Sequence, residues 1–343
     1  MRRRLIDALE GQPVDTIPIW LMRQAGRYLP GYRALRARHS ILEIARTPDL
    51  ACEVTLEPVR RFDVDAAVVF ADITLPFAGL GVDFSIDPGV GPVIPRPIRT
   101  AAQVEALRPF DARASVPFVG QAIERYRAAE HDRPIIGFAG APFTLASYLI
   151  EGGPSREYAE TKRLLYAEPR TFDRLLDRLT EATIDYLARQ AEAGAAALQL
   201  FDTWVGTLGL RRYERHVVPF LERLRDGLAP WKRPVIYFAT GASHLLERAG
   251  RLGFAALGVD WRESLGRLRR RLGDGVTLQG NLDPGALLAG RATMEAEARA
   301  VLAEIPDHDR HVFNLGHGVL PATDPERVNA LVELVHEEGT ARR

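Results

Sequence analysis

"PIIGFAGAPFTLASYLIEGG", residues 134 to 153, decides the fold. An apolar, β-favouring run at 134 to 139 turns through "GAPFT" into a helical pattern. A strand apolar along its whole length is one covered on both faces, as in parallel sheets. The unit recurs along the chain. Strand-like runs are "IPIWLM" (17 to 22), "DAAVVF" (65 to 70), "PIIGFA" (134 to 139), "AALQLF" (196 to 201), "PVIYFA" (234 to 239), "AALGVD" (255 to 260), "VTLQGN" (276 to 281) and "HVFNLG" (311 to 316). Helical patterns follow them. Eight parallel strands alternating with helices predict an α/β fold, a single-domain (β/α)8 TIM-type barrel over residues 1 to 343, with a doubly wound open sheet as the alternative.

Helix signals agree with this rhythm. "TPDLACEVTLEPVRRF" opens with Thr47 as N-cap and Pro48 at the first helical position. "DPERVNALVELVHEEG" repeats the device with Asp324 and Pro325, puts Val328, Leu331, Val332 and Val335 on one face, and stops at Gly339. "TFDRLLDRLTEATIDYLARQAEAGA" aligns Phe172, Leu175, Leu176, Leu179 and Leu187. The segment 81 to 98, "GVDFSIDPGVGPVIPRPI", breaks the alternation around Pro88 to Gly91 and reads as a hairpin or loop insertion after the second strand.

Composition narrows the function. Acidic and basic residues balance at 45 each, so no global field favours nucleic acid or an anionic membrane, and anion recognition must be local. The hydrophobic fraction is 46%, that of a globular protein with a large core. Cys52 is the only cysteine, which leaves no disulfide and no Cys-Cys metal cluster. It reads as a small buried helix residue. Basic residues at the start are followed by no apolar stretch of signal length, and nothing approaches a membrane span, so a cytoplasmic protein is expected.

In a barrel, chemistry gathers at the carboxyl ends of the strands. Those ends carry Arg23, Asp72, the "GAPFT" turn, Asp202 with Thr203, Thr240, Asp260, Asn281 and His317. In "IPIWLMRQAGRYLPGYRALR", residues 17 to 36, an apolar run opens into Arg23 and Arg27 separated by Gln24, Ala25 and Gly26. Four-residue spacing places two guanidiniums on one side of a turn, able to grip carboxylates, while small residues let backbone approach. Each feature also has a plainer reading. The arginines could form a surface ion-pair face, Asp72 a helix cap, and His317 a loop histidine bonded to backbone. Serine-hydrolase, zinc-protease, P-loop and dinucleotide-binding motifs are absent, and the histidines lack metal-ligand spacing.

Longer blocks carry a resemblance. "PIWLMRQAGRYLPGY" (18 to 32), "GFAGAPFTLASYLIEGG" (137 to 153), "FADITLPFAGLG", "LQLFDTWVG", "LQGNLDP" and "FNLGHGVLPATDPERV" resemble the uroporphyrinogen decarboxylase family from about residue 3 to 338. Gly31 departs from it, standing where an acidic residue is expected, and Thr203 sits where the family uses serine or threonine. The resemblance implies a (β/α)8 barrel, a homodimer, and removal of four acetate carboxyl groups from uroporphyrinogen to give coproporphyrinogen, without metal or organic cofactor, in heme biosynthesis. It further implies that Arg23, Gln24, Ala25, Gly26 and Arg27 wrap the substrate. Asp72 would accept from the pyrrole N–H groups, and Tyr148, Thr203 and His317 would bind the arms, with Asp72, Arg23 and Tyr148 as catalytic residues. The proton donor stays open among Arg23, Tyr148, His317, a substrate carboxyl and water. Three other readings compete: a corrinoid-type methyltransferase of the same fold holding zinc through cysteine and histidine, a barrel hydrolase using Asp72, Asp202 and Asp260, and a porphyrinogen-binding protein without turnover.

Overall fold

Residues 2–305 and 310–340 are described by the computed structural model. Seven parallel strands form one continuous sheet: β1 (Ala67–Val68), β4 (Ile135–Gly140), β5 (Ala197–Asp202), β6 (Val235–Ala239), β7 (Ala256–Gly258), β8 (Thr277–Gln279) and β9 (His311–Val312). They pair in chain order, with registers such as Leu198 opposite Val235 and Leu257 opposite Leu278. Between β1 and β4, two short strands, β2 (Ser85–Asp87) and β3 (Gly91–Val93), pair antiparallel as a separate unit.

The run 17 to 22, expected as a regular strand, makes no ladder, and its sequence explains why. Pro18 has no N–H to give. The next N–H groups go to side chains: Ile19 donates to Asp65 Oδ2 (2.8 Å), Leu21 to Gln24 Oε1 (2.9 Å) and Met22 to Asn314 Oδ1 (3.0 Å). Backbone bonds nevertheless reach both neighbours. Asp65 N–H donates to the Ile19 carbonyl (2.8 Å) on the β1 side, and Phe313 N–H to the Pro18 carbonyl (2.9 Å) on the β9 side.

Alternation along the strands separates two cores. Ala197, Ile236, Phe238 and Ala256 point inward with Trp20 and Met22. Leu198, Leu200, Tyr237 and Leu257 point outward into a larger layer shared with the covering helices. The helix Arg4–Leu9 buries Leu5, Ile6, Ala8 and Leu9 against the inner cluster, and Thr277 Oγ1 donates to the Ala8 carbonyl (2.7 Å). That closes the amino-terminal end of the strands, so open space is left only at the carboxyl ends.

Among the covering helices, Pro48–Arg61, Pro117–Ala129, Pro142–Glu151, Pro169–Glu192 and Pro325–Glu338 all begin with proline, whose missing N–H costs nothing in the first turn. Asp324 caps as expected, accepting from Glu326 N–H. Thr47 occupies the N-cap position in extended backbone, but its hydroxyl makes no capping bond. Cys52 is buried on its helix.

Candidate functional site

At the carboxyl ends of the strands lies a cavity of about 770 Å³. Arg23, Gln24, Ala25, Gly26, Arg27, Asp72, Tyr148, Thr203 and His317 all line it. They come from five separate stretches of chain, four in the loops after the strands and the fifth, Tyr148, on the helix Pro142–Glu151 that follows β4.

The arginine loop is held by its own residues. Arg23 takes a left-handed backbone conformation, φ +60°, which an L side chain adopts at a cost. Gln24, buried, stabilises that turn: its amide accepts from Leu21 N–H and donates to the Ala66 carbonyl (3.0 Å), while Tyr28 O–H donates to the Gln24 carbonyl (2.8 Å). The Gln24 amide is therefore committed to the wall, and what this residue offers the cavity is main chain. Gly26 is required because a Cβ there would meet the Arg23 carbonyl at 2.8 Å. A Cβ on Gly318 would overlap the aliphatic stem of Arg23, so the glycine after His317 lets that stem pass. The Arg23 and Arg27 guanidiniums make no hydrogen bond or ion pair with any described residue. Enclosure, and then the charge of Arg27, lower the pKa of Arg23.

Asp72 is not the cap of the helix that follows, Pro76–Gly79, whose N-cap is Leu75; it fixes the turn before that helix. Its Oδ1 accepts from Thr74 N–H (2.9 Å) and Thr74 Oγ1 (2.5 Å), fixing the carboxylate, while Oδ2 has no hydrogen-bond partner among the described residues. Tyr148 is held as a phenol. Burial, then the nearby Asp72 charge, push its pKa up to about 12, partly offset by a hydrogen bond from the Trp204 side chain. His317 is pushed down to about 4 by burial, then by Arg23 and Arg262, so its imidazole is neutral at pH 7. Its ring meets Trp261 edge-on at 6.4 Å, and Arg262 stacks on that indole at 4.0 Å.

Four of the strand-end residues lie outside the lining, Thr240 among them. Asp202 faces outward and is fully buried, accepting from Thr144 Oγ1 and Tyr237 O–H (2.8 Å each). Asp260 accepts from Gly241 N–H (2.5 Å) and pairs with Arg262 (3.0 Å). Asn281 donates to the carbonyls of Asp260 and Glu263. None of them lines the cavity, which removes the geometric basis for an acid–base pair built from Asp72, Asp202 and Asp260. Residues not singled out in the sequence also line it: Tyr32 and Arg36, and the hairpin residues 86 to 92, including Asp87. Arg36 was legible in principle, since it follows Tyr32 by four residues on a helix that starts three residues after Arg27. Arg38 and His39 lie outside the lining.

The cavity thus gathers cations at Arg23, Arg27 and Arg36 around one fixed carboxylate with an open oxygen, over a floor that includes Val68, Phe138, Phe201 and Phe238. Such a site suits a flat apolar body with anionic arms and central N–H donors. No group of three or more His, Cys, Asp or Glu residues among the described residues could hold a metal ion, and no described helix is long and apolar enough to cross a membrane.

Comparison with known proteins gives consistent matches. The family model for uroporphyrinogen decarboxylase matches residues 1–338. The protein named uroporphyrinogen decarboxylase from Syntrophotalea carbinolica is 47% identical over 332 residues, 96% of each chain. That from Streptomyces coelicolor is 48% identical, covering 98% of this chain and 94% of the relative. That from Geobacter sulfurreducens is 45% identical, covering 98% of each. Among solved structures, a methyltransferase from Methanosarcina mazei superposes with a TM-score of 0.79 at 22% identity, covering 98% of both chains. A B12-independent methionine synthase from Shewanella gives 0.58 at 11% identity, covering 88% and 90%. At such identities the two structures speak to fold alone.

Proposed function

The chain belongs to the uroporphyrinogen decarboxylase family, and from that membership we propose how its cavity carries out the reaction. It is a carboxy-lyase that converts uroporphyrinogen to coproporphyrinogen and carbon dioxide in heme biosynthesis. The observation that carries the mechanism is the carboxylate of Asp72, tied down through Oδ1 and open at Oδ2, in a cavity that Arg23, Arg27 and Arg36 also line.

Loss of carbon dioxide from an acetate arm leaves an electron pair on carbon that needs an acceptor. Protonating the pyrrole ring carbon beside the arm makes an iminium-like cation. The C–C bond then breaks, its electron pair neutralises the cation, a second proton on the exocyclic carbon completes the methyl group, and the first proton leaves the ring carbon to restore the pyrrole. Asp72 accepts from the pyrrole N–H groups and stabilises the cation as it forms. Unit charges about 4 Å apart at an effective dielectric of about 20 attract by roughly 4 kcal/mol. If half of that arises only in the transition state, the rate gains about thirtyfold.

Arg23 and Arg27 grip carboxylates, and the backbone of Gln24, Ala25 and Gly26 lies against the macrocycle. Arg23 holds the reacting arm, and its lowered proton affinity moves it in the direction a proton donor requires. Tyr148, kept as a phenol, donates to an arm; Thr203 and neutral His317 bind others. These steps need no metal or organic cofactor. The whole chain acts as one (β/α)8 domain, in which 17 to 22 closes the barrel between β1 and β9 and the 81 to 98 hairpin is an insertion at the mouth. Family membership supports a cytoplasmic homodimer, which sedimentation of the purified protein tests.

The reaction is tested by incubating metal-stripped protein anaerobically with uroporphyrinogen III, oxidising the products and separating porphyrins by carboxyl number. Stepwise conversion from eight to four carboxyls is expected. Unchanged eight-carboxyl material from folded protein would overturn the mechanism.

A further inference from the structure

Behind the cavity wall, a buried hydroxyl and a buried carboxylate join two elements that each deliver a substrate-facing residue. Asp202 ends β5 and precedes Thr203, which faces the cavity. Strand alternation turns Asp202 the other way, where its two oxygens each take one hydroxyl: Thr144 O–H at Oδ1 and Tyr237 O–H at Oδ2, both at 2.8 Å. Tyr213 O–H extends the chain to Tyr237 at 3.4 Å. A carboxylate suits this place because it only accepts, and both neighbours present donors.

Thr144 uses its hydroxyl twice. It donates to Asp202 and accepts from Trp204 N–H (3.1 Å), which binds the residues on either side of Thr203 to one point on the helix Pro142–Glu151. Tyr148 lies four residues further along that helix, on the same face. Its ring packs edge-on against Trp204 with centroids 5.8 Å apart. Tyr158 packs on the other contact of that indole at 5.6 Å. Thr203, Trp204 and Tyr148 are thereby fixed relative to one another through Thr144 and Asp202, neither of which lines the cavity.

We propose that Thr144 and Asp202 are positioning residues for the decarboxylation, setting the distance between the Tyr148 hydroxyl and Thr203 and so the pose of the macrocycle whose arms they hold. This rests on the mechanism proposed above. A loosened pair would still admit the substrate, whose carboxylates are held mainly by the arginine loop, but would misplace the reacting arm. The expected signature is a loss in kcat with KM nearly unchanged.

The test compares Thr144→Val, which keeps shape and removes the hydroxyl, with Thr144→Ser, which keeps the hydroxyl. Thr144→Val should lower kcat about tenfold with KM within about twofold of the parent, and Thr144→Ser should restore most of the loss. Asp202→Asn retains an acceptor for Thr144 and should resemble the serine variant, whereas Asp202→Ala should resemble the valine variant. Circular dichroism screens each for folding. Should Asp202→Ala fail to fold, the threonine pair still decides the question. Parental kcat in folded Thr144→Val, or a serine variant as impaired as the valine one, would overturn the positioning role alone. Parental protein that releases no carbon dioxide would overturn the mechanism on which it rests.

Discussion

Asp72 divides its work between its two oxygens, and a substitution can separate them. Asp72→Asn keeps a carbonyl oxygen for Thr74, so the loop stays in place, but removes the charge proposed to face the pyrroles. Turnover is expected to fall at least about thirtyfold with circular dichroism unchanged, and near-parental kcat would take Asp72 out of the mechanism. Titration offers a second residue-level check, because His317 and Asp202 depart from their ordinary pKa values in ways that oppose each other. His317 falls from 6.5 to about 4, so the unfolded chain binds its proton first; this stability is present above pH 6.5 and is lost as pH falls toward 4. Asp202 rises from 3.8 to about 6 through burial, so its contribution is full below 3.8 and is lost as pH rises through 6. Each can reach about 3 kcal/mol, and over the shared window they nearly cancel. Urea unfolding at pH 4, 5 and 7 should therefore show the variants diverging: Asp202→Asn gains on the parent as pH rises, and His317→Gln gains on it as pH falls. Parallel profiles for parent and variants would show that neither group titrates as described.

At the scale of elements, the sequence was legible wherever backbone pairs with backbone. The apolar runs at 134 to 139, 196 to 201 and 234 to 239 became β4, β5 and β6 because nearly all their residues are buried between sheet neighbours on both sides and core on both faces. The run at 17 to 22 carried the same apolar signal, but the N–H groups of Ile19, Leu21 and Met22 were taken by Asp65, Gln24 and Asn314, residues whose relevance depends on tertiary position and leaves no local pattern. The site divides in the same way. The arginine spacing and the His317 glycines were visible, whereas the outward turn of Asp202 followed from strand alternation, and Arg36 and the hairpin reach the mouth only through the fold. Gly318 shows how closely these elements meet. Its backbone is compatible with alanine, so Gly318→Ala should fold, yet the added methyl must displace the Arg23 stem. KM for uroporphyrinogen is expected to rise about tenfold, the loss of one well-placed charged contact, and an unchanged KM would show that Arg23 does not hold the substrate.

Across the whole molecule, the arginine loop proposed to bind the anionic arms hangs from the seam of the sheet. Asp65, buried to 1% exposure, joins three distant parts of the chain there. Its Oδ2 accepts from Ile19 N–H and from His336 Nε2 (2.8 Å each), and its Oδ1 from Arg4 (3.3 Å). One carboxylate thus links the helix that plugs the inner core, the segment leading into Trp20 and the arginine loop, and the carboxyl-terminal helix Pro325–Glu338. Removing it strands a buried backbone N–H and leaves Arg4 with only the exposed Asp15 (2.5 Å). The cost of breaking such a buried pair is about 3–5 kcal/mol, several times that of a surface ion pair. Asp65→Ala should lower the unfolding free energy measured in urea by that amount and, because the seam sets the arginine loop, raise KM even where the protein remains folded. Asp15→Ala, which removes only the exposed partner of Arg4, should cost under about 1 kcal/mol. Equal and small losses for the two variants would mean that the seam is held by its backbone bonds alone, and the arginine loop would then owe its geometry to Gln24 and Gly318 instead.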